Sequence, residues 1–391
     1  MSLAEAARAA AVPPFHAMAM SRAASEREAG GQHVLHLEVG QPSTPAPRTA
    51  RRAAIEAIER GDALGYTNAA GLMSLRRRIA RHYREWYATD VDADEVVVVG
   101  GASAGFTLAF AAAFEPGDRV GVLEPGYPCY RNTLVALGVE PVPIPVDAAT
   151  RWGPTADTLD AVGHLDGLIV ASPSNPTGTV LSPTSLAEIV EWCDQNDALL
   201  ISDEIYHGIV FDGRAESARA HTADAVVINS FSKYFSMTGW RLGWMLVPPH
   251  LASAVERLQQ NLYICAPHVS QVAGLAAFDD ADELDGHVAR YRDNRTLLIE
   301  GLAAAGLTDV AAADGAFYVY AHVGDLTHGR GAPGVGDSMQ LCRRWLDELS
   351  VACTPGLDFD LARGHTTIRF SYAGRADDLV EACRRIAEWV P

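Results

Sequence analysis

A chain of 391 residues with 48% hydrophobic and 20% charged residues has globular composition and room for two or three domains, which excludes a largely disordered protein. Against 31 basic residues stand 49 acidic ones, a formal net charge of −18, and such a surface repels phosphate backbones and anionic bilayers. No nucleic-acid or membrane partner is therefore expected. Lys233 is the sole lysine, so the other 30 of the 31 basic residues are arginines. An arginine stays protonated, whereas a lysine can serve as an amine nucleophile.

The first residues lack the basic, apolar and cleavage regions of a signal peptide, and no apolar run approaches the roughly 20 residues of a membrane helix. The six cysteines, Cys129, Cys193, Cys265, Cys342, Cys353 and Cys383, form no CxxC pair, and no HExxH or EF-hand pattern occurs. A cytoplasmic location with reduced thiols and no metal is the expectation. Leu75, Ile79, Tyr83 and Trp86 fall on one helical stripe, and Arg76-Arg77-Arg78 reads as its solvated face. From about 95 to 248, β-rich runs alternate with helical patterns, at 95–100, 119–124, 140–146, 167–172, 198–203, 225–230 and 243–247. Several are continuously apolar, as in Val96-Val97-Val98-Val99, which is how strands buried on both faces read. The predicted fold is α/β, a mostly parallel seven-stranded sheet covered by helices. Ser182-Pro183 predicts an N-cap with proline at the first helical position, followed by Leu186, Ile189, Val190 and Cys193 on one face. Beyond about 285 come a long helix through 291–304, a strand at 315–322, a surface loop at 329–336, a strand at 366–372 and a last amphipathic helix ending in Ile386 and Trp389. This divides the chain into a large domain, 46–285, and a smaller α+β domain, 286–391, which the N-terminal segment 1–45 joins.

Polar clusters gather at the predicted strand ends. Val99-Gly100-Gly101-Ala102-Ser103-Ala104-Gly105 follows a strand and opens a helix, where backbone amides make an anion site. It matches neither a Walker A loop nor GxGxxG, and taken alone it fits a tight turn without a ligand equally well. Ser230-Phe231-Ser232-Lys233 ends another run, and Thr238-Gly239-Trp240-Arg241-Leu242-Gly243 follows. A lysine there faces the crevice in which α/β sheets bind ligands, and Arg241 with the serines offers donors for a phosphate dianion. Glu124-Pro125-Gly126-Tyr127-Pro128, Ser172-Pro173-Ser174-Asn175-Pro176-Thr177-Gly178 and Ser202-Asp203-Glu204-Ile205-Tyr206 complete the set. One amine, one carboxylate, phenols, an amide and phosphate donors suit pyridoxal 5′-phosphate (PLP).

On these motifs, over nearly the whole length from Gly40-Gln41-Pro42 to Arg369, the chain resembles the fold-type I PLP-dependent aminotransferases of class I/II, the group that includes aspartate and aromatic aminotransferases. The resemblance implies that 46–285 is the PLP-binding domain and that Lys233 is the Schiff-base lysine and proton shuttle of a ping-pong amino transfer from an L-α-amino acid to a 2-oxo acid. It implies Asp203 at the pyridine nitrogen, Tyr206 and Asn175 at the ring oxygen, and Tyr127 stacked on the ring. Ala102, Ser103, Ser230, Ser232 and Arg241 would hold the phosphate. Tyr66 would reach the phosphate of a neighbouring subunit, which makes the working unit a homodimer with shared active sites. Arg369 would clamp the substrate α-carboxylate, helped by the Gly40 amide and Asn175. Two departures bear on the substrate. Ala102 stands where aspartate-selective members of one branch carry a lysine, and Asp360 replaces a glycine of the family's Pro-Gly-x-x-Phe-Gly turn. A neutral, apolar or aromatic L-amino acid is therefore expected as donor, with 2-oxoglutarate or pyruvate as acceptor. A carbon–sulfur β-lyase uses the same Lys, Asp and Arg and stays open as an alternative. A PLP-binding regulator would need an added DNA-binding domain, which is not expected with about 40 residues ahead of Gly40-Gln41-Pro42 and a net charge of −18, and a phosphate-binding enzyme without PLP leaves Lys233 unexplained.

Overall fold

The computed structural model of the chain describes residues 5–328 and 335–390. Seven strands form the large sheet: β1 (Val96–Val99), β2 (Arg119–Glu124), β3 (Glu140–Pro145), β4 (Gly167–Ala171), β5 (Leu199–Asp203), β6 (Val226–Ser230) and β7 (Gly243–Leu246). Their order is β1-β7-β6-β5-β4-β2-β3. Neighbours run parallel except at β7, which is antiparallel to both β1 and β6. All seven runs read from the sequence are strands, each within two residues of its expected ends. Every residue of β1, β6 and β7 is buried, which is why β1 is apolar throughout and β6 and β7 carry no charged residue.

β3 differs. Its burial alternates, and Pro141, Pro143 and Pro145 recur at every second position. The amides of Glu140 and Val146 donate to the β2 side, so the odd positions turn the missing N–H groups to the free edge. Proline is tolerated in a sheet at such an edge.

The helix Pro183–Gln195 starts as predicted, with Ser182 Oγ accepting the Ser185 N–H at 3.0 Å. The arginine run near 76 needs correction. Arg77 is exposed, but Arg76 is buried, donating from Nε to the Val96 carbonyl at 2.9 Å and pairing with Asp94 at 3.0 Å. Arg78 lies over the Phe278 ring at 4.3 Å. A guanidinium can bury its stem on apolar surface while its head finds acceptors, so a basic run does not by itself mark a solvated face.

Beyond the large sheet, β8 (Tyr318–His322), β9 (Thr354–Pro355) and β10 (Thr367–Ser371) form an antiparallel sheet in the order β9-β10-β8. β8 begins three residues later than expected, because Gly315 bridges Val210 instead. The long helix spans Ala281–Ala304, ten residues more than expected; Asp282 and Glu283 in its first turn suit the positive end of the helix dipole. Leu35–His36 pairs in parallel with Val351–Ala352. The loop expected over 329–336 lies, across 329–334, outside the described residues. All six cysteines are free thiols, and among the described residues no helix is long and apolar enough to cross a membrane.

Candidate functional site

The carboxyl ends of β2, β4, β5 and β6 open onto one cavity of about 630 Å³. Open α/β sheets bind ligands there, because the connections after neighbouring strands part in opposite directions. Lys233, Asp203, Tyr206, Asn175, Tyr127, Ala102, Ser103, Ser232, Arg241, Gly40 and Arg369 all line it.

Lys233 Nζ donates to the Gly40 carbonyl at 2.6 Å. Burial, together with the nearby charge of Arg369, pulls its pKa from the usual lysine range down to about 8. At pH 7 roughly a tenth of the amine is then uncharged, against far less than a hundredth for an ordinary lysine. Asp203, at the end of β5, is 3% exposed, and burial raises its carboxyl to about 6. The Tyr130 hydroxyl donates to its Oδ2 and the Ile205 N–H to its Oδ1, and both oppose that rise. A buried carboxylate held by neutral donors is fitted to accept a cationic partner from the cavity.

The glycine turn delivers an anion cradle. Gly101 has φ +86°, and a Cβ there would lie 2.5 Å from Arg241 Nη2, so the guanidinium rests directly against the start of the helix Ala102–Ala113. The first N–H groups of that helix, at Ala102 and Ser103, lack intrahelical acceptors. With Arg241 and the hydroxyls of Ser103 and Ser232 they make a site for a dianion. Ser230 sits apart from these groups. Its Oγ accepts the Ser232 N–H at 3.1 Å and donates to the Leu242 carbonyl at 3.0 Å or to Ser232 Oγ at 2.9 Å, so it shapes the turn, while Ser232 lines the cavity.

Arg369, in the middle of β10 and 3% exposed, lines the same cavity. Its guanidinium carbon lies over the rings of Tyr318 and Phe359, 4.4 Å and 4.8 Å from their centroids. Nη1 donates to Asn175 Oδ1 at 2.9 Å, and Nη2 donates to the Glu38 carbonyl and to Thr354 Oγ1. Buried Nε has no hydrogen-bond partner. Of five N–H donors, one on Nη1 and the one on Nε stay free for a ligand carboxylate. Because Asn175 spends its oxygen on Arg369, its NH2 group remains as donor. The Tyr206 and Tyr318 hydroxyls lie 2.6 Å apart. A methyl group on Gly40 would come within 1.7 Å of Tyr318 Oη, which accounts for glycine at that position. A Gly40→Ala chain is expected to fold with Tyr318 displaced, and to lose about 100-fold in kcat/KM, the usual effect of a displacement near 1 Å. Steady-state kinetics beside a thermal melt would check this.

The Tyr127 ring meets Tyr130 edge-on at 5.3 Å. Two predicted site residues do not line this cavity: Ser230, which lies under the turn, and Tyr66, which stands 82% exposed. Sequence reasoning missed Tyr130, Tyr318 and Thr354. Tyr130 carried a signal, since it falls three residues after Tyr127 at the start of the helix Pro128–Leu137. Asp360 faces away from the cavity lining; its carboxylate accepts the Arg363 N–H and Nε–H, each at 2.7 Å, and Arg363 Nη2 in turn donates to the Glu124 and Val146 carbonyls. The departure from glycine is thus a loop clamp.

The family described as aminotransferase class I and II matches residues 32–386. The chain is 48% identical to the valine–pyruvate aminotransferase of Mycobacterium tuberculosis over 98% of its own length and 97% of that protein's. It is 30% identical to the aspartate aminotransferase of Thermotoga maritima over 92% of both chains. The crystal structure of an aminotransferase from Mycobacterium tuberculosis superposes with a TM-score of 0.95 at 47% identity, covering 100% of each chain. By sequence and by fold, then, the chain belongs to the class I and II aminotransferases, and its activity is the transfer of an amino group between amino acids and keto acids.

Proposed function

We propose that the chain is a PLP enzyme that takes the amino group from a neutral, apolar or aromatic L-α-amino acid and passes it to pyruvate, whose single carboxylate needs no second cation, rather than to 2-oxoglutarate. One observation carries the donor class. Among the described residues lining the cavity, the cations are Lys233, Arg241 and Arg369, and each already has a post. No fourth cation is there to meet a distal carboxylate, while Phe15, Met18, Val39 and Phe106 give the wall an apolar character. A carboxylate placed against such a wall without a partner is strongly disfavoured. The valine–pyruvate activity named for the Mycobacterium tuberculosis relative supports both the donor class and pyruvate.

The residues fit the cofactor. The dianion cradle of Ala102, Ser103, Ser232 and Arg241 suits its phosphate, with Ser230 supporting the turn. Asp203 suits its ring nitrogen, Tyr206 and the Asn175 NH2 its ring oxygen, and Tyr127 its face. When bound, PLP supplies an electron sink that makes the substrate α-proton acidic. Lys233 Nζ receives and returns that proton, Arg369 and the Gly40 amide orient the α-carboxylate, and the cavity walls limit water. Tyr66, an aromatic side chain exposed on its own subunit, would serve the partner subunit's phosphate site in a homodimer. The division at 1–45, 46–285 and 286–391 is supported by the pairing of Leu35–His36 with Val351–Ala352, and the free thiols support a cytoplasmic location.

A donor panel tests the reading. With PLP and pyruvate, valine, leucine and phenylalanine are expected to exceed aspartate by about 100-fold in kcat/KM, the scale set by an unpaired polar group in an apolar pocket. Aspartate ranking first would overturn the donor class. Pyruvate and ammonia released from cysteine without an acceptor would replace transfer by β-elimination.

A further inference from the structure

The helix His16–Ala29 begins on Phe15, which has no side-chain oxygen to cap it. Helix starts ordinarily carry Ser, Thr, Asp or Asn there, because the first N–H groups lack intrahelical acceptors. Here the caps come from the far end of the chain. Asp358 accepts the His16 N–H on Oδ1 at 2.8 Å and the Ala17 N–H on Oδ2 at 2.7 Å, across 342 and 341 residues. The Asp358 carbonyl accepts Arg131 Nη2 at 3.2 Å, and the Phe359 carbonyl accepts the Gly126 N–H at 2.9 Å, so the loop carrying the carboxylate is itself pinned to the turn and helix that follow β2. A borrowed cap frees Phe15, with Ala17 and Met18, to line the cavity. The Phe15 ring meets Tyr127 edge-on, with centroids 6.2 Å apart and planes at 75°. The rear of the helix is tied separately, by Glu28 to His36 Nε2 at 3.1 Å and by Arg27 to Asp347.

We propose that Asp358 is a positioning residue that clasps the front of this helix as the wall against which substrate side chains are sorted, with Phe15 and Met18 as its contact residues. This rests on, and deepens, the donor class proposed above. Arg369 and Lys233 engage the parts common to every α-amino acid. The wall meets only the side chain, in proportion to its apolar area. Releasing the front of the helix therefore costs large apolar donors more than alanine.

The test uses the PLP-loaded enzyme, with Asp358→Ala and Asp358→Asn. Asp358→Ala is expected to raise KM for valine and leucine about tenfold while kcat and the KM for alanine change by less than about threefold. Asp358→Asn keeps one acceptor oxygen and should fall between. Amide hydrogen exchange, a readout independent of turnover, should speed up at least about tenfold over residues 16–20 in Asp358→Ala and stay near parent over 25–29. Should Asp358→Ala fail to fold, Met18→Ala, at a 58% exposed position, replaces it with the same expected KM bias toward large donors. Unchanged exchange over 16–20, or KM values for valine and alanine that rise together, would overturn the clasp. Aspartate as best donor of the parent enzyme would overturn the donor class and leave the clasp to be judged by exchange.

Discussion

Lys233→Ala is expected to lower amino transfer by about 10⁴-fold, because it removes both the nucleophilic amine and the group that carries the α-proton. Among the described residues lining the cavity there is no substitute amine. Its other two cations are arginines, which stay charged at any working pH. Lys233→Arg is therefore expected to be as inactive as Lys233→Ala, which separates the lost amine from the lost charge. In the parent chain, burial brings the amine to about pH 8, and attack on an aldehyde requires the uncharged form. The rate at which added PLP develops its visible band should thus climb with pH and level off above about 8, where an unperturbed lysine would climb to about 10.4. Single-turnover absorbance with valine reads both effects. Activity of Lys233→Ala within tenfold of the parent would contradict the assignment.

Arg369→Ala is expected to cost about 10³-fold in kcat/KM for amino acids, the order found when one partner of a buried, hydrogen-bonded charge pair is removed. Part of that loss is local, because Asn175 Oδ1, the Glu38 carbonyl and Thr354 Oγ1 lose their donors. A second substrate separates the two contributions. Isobutylamine keeps valine's side chain and amine but lacks the carboxylate. The parent should prefer valine strongly, and Arg369→Ala should treat the two alike. A preference that survives the substitution would move the carboxylate clamp elsewhere.

Much of the site was readable because its residues cluster in short stretches at strand ends. Ser230-Phe231-Ser232-Lys233 and Ser202-Asp203-Glu204-Ile205-Tyr206 each place chemistry within five positions of a strand that is apolar enough to recognise. The partners that tune those residues arrive from elsewhere in the chain. Tyr130 reaches Asp203 across 73 residues and Tyr318 reaches Tyr206 across 112, and neither pairing leaves a local pattern. Tyr318 in particular reads as one more alternating residue of a strand until the close approach of Gly40 explains its place. The misreading at Arg76 has a similar origin. Periodicity assigns a face, but the acceptors that let a guanidinium lie under a strand end, the Val96 carbonyl and Asp94, come from another segment. The strand boundaries of the large sheet were legible to within two residues because its runs, β1, β6 and β7 above all, are buried on both faces. The long helix was not, because the Asp- and Glu-rich start of Ala281–Ala304 masks its apolar stripe.

With every other cation an arginine, the protein's entire outer surface is free of side-chain amines. Reagents that acylate, reductively alkylate or crosslink primary amines can meet only the chain's α-amino end and the one lysine inside the cavity. Label incorporated at Lys233 therefore counts open sites directly, molecule by molecule, and protection by a bound ligand can be read from intact mass alone. The same scarcity makes random amine coupling to a solid support impossible except through the terminus or at the expense of the active centre.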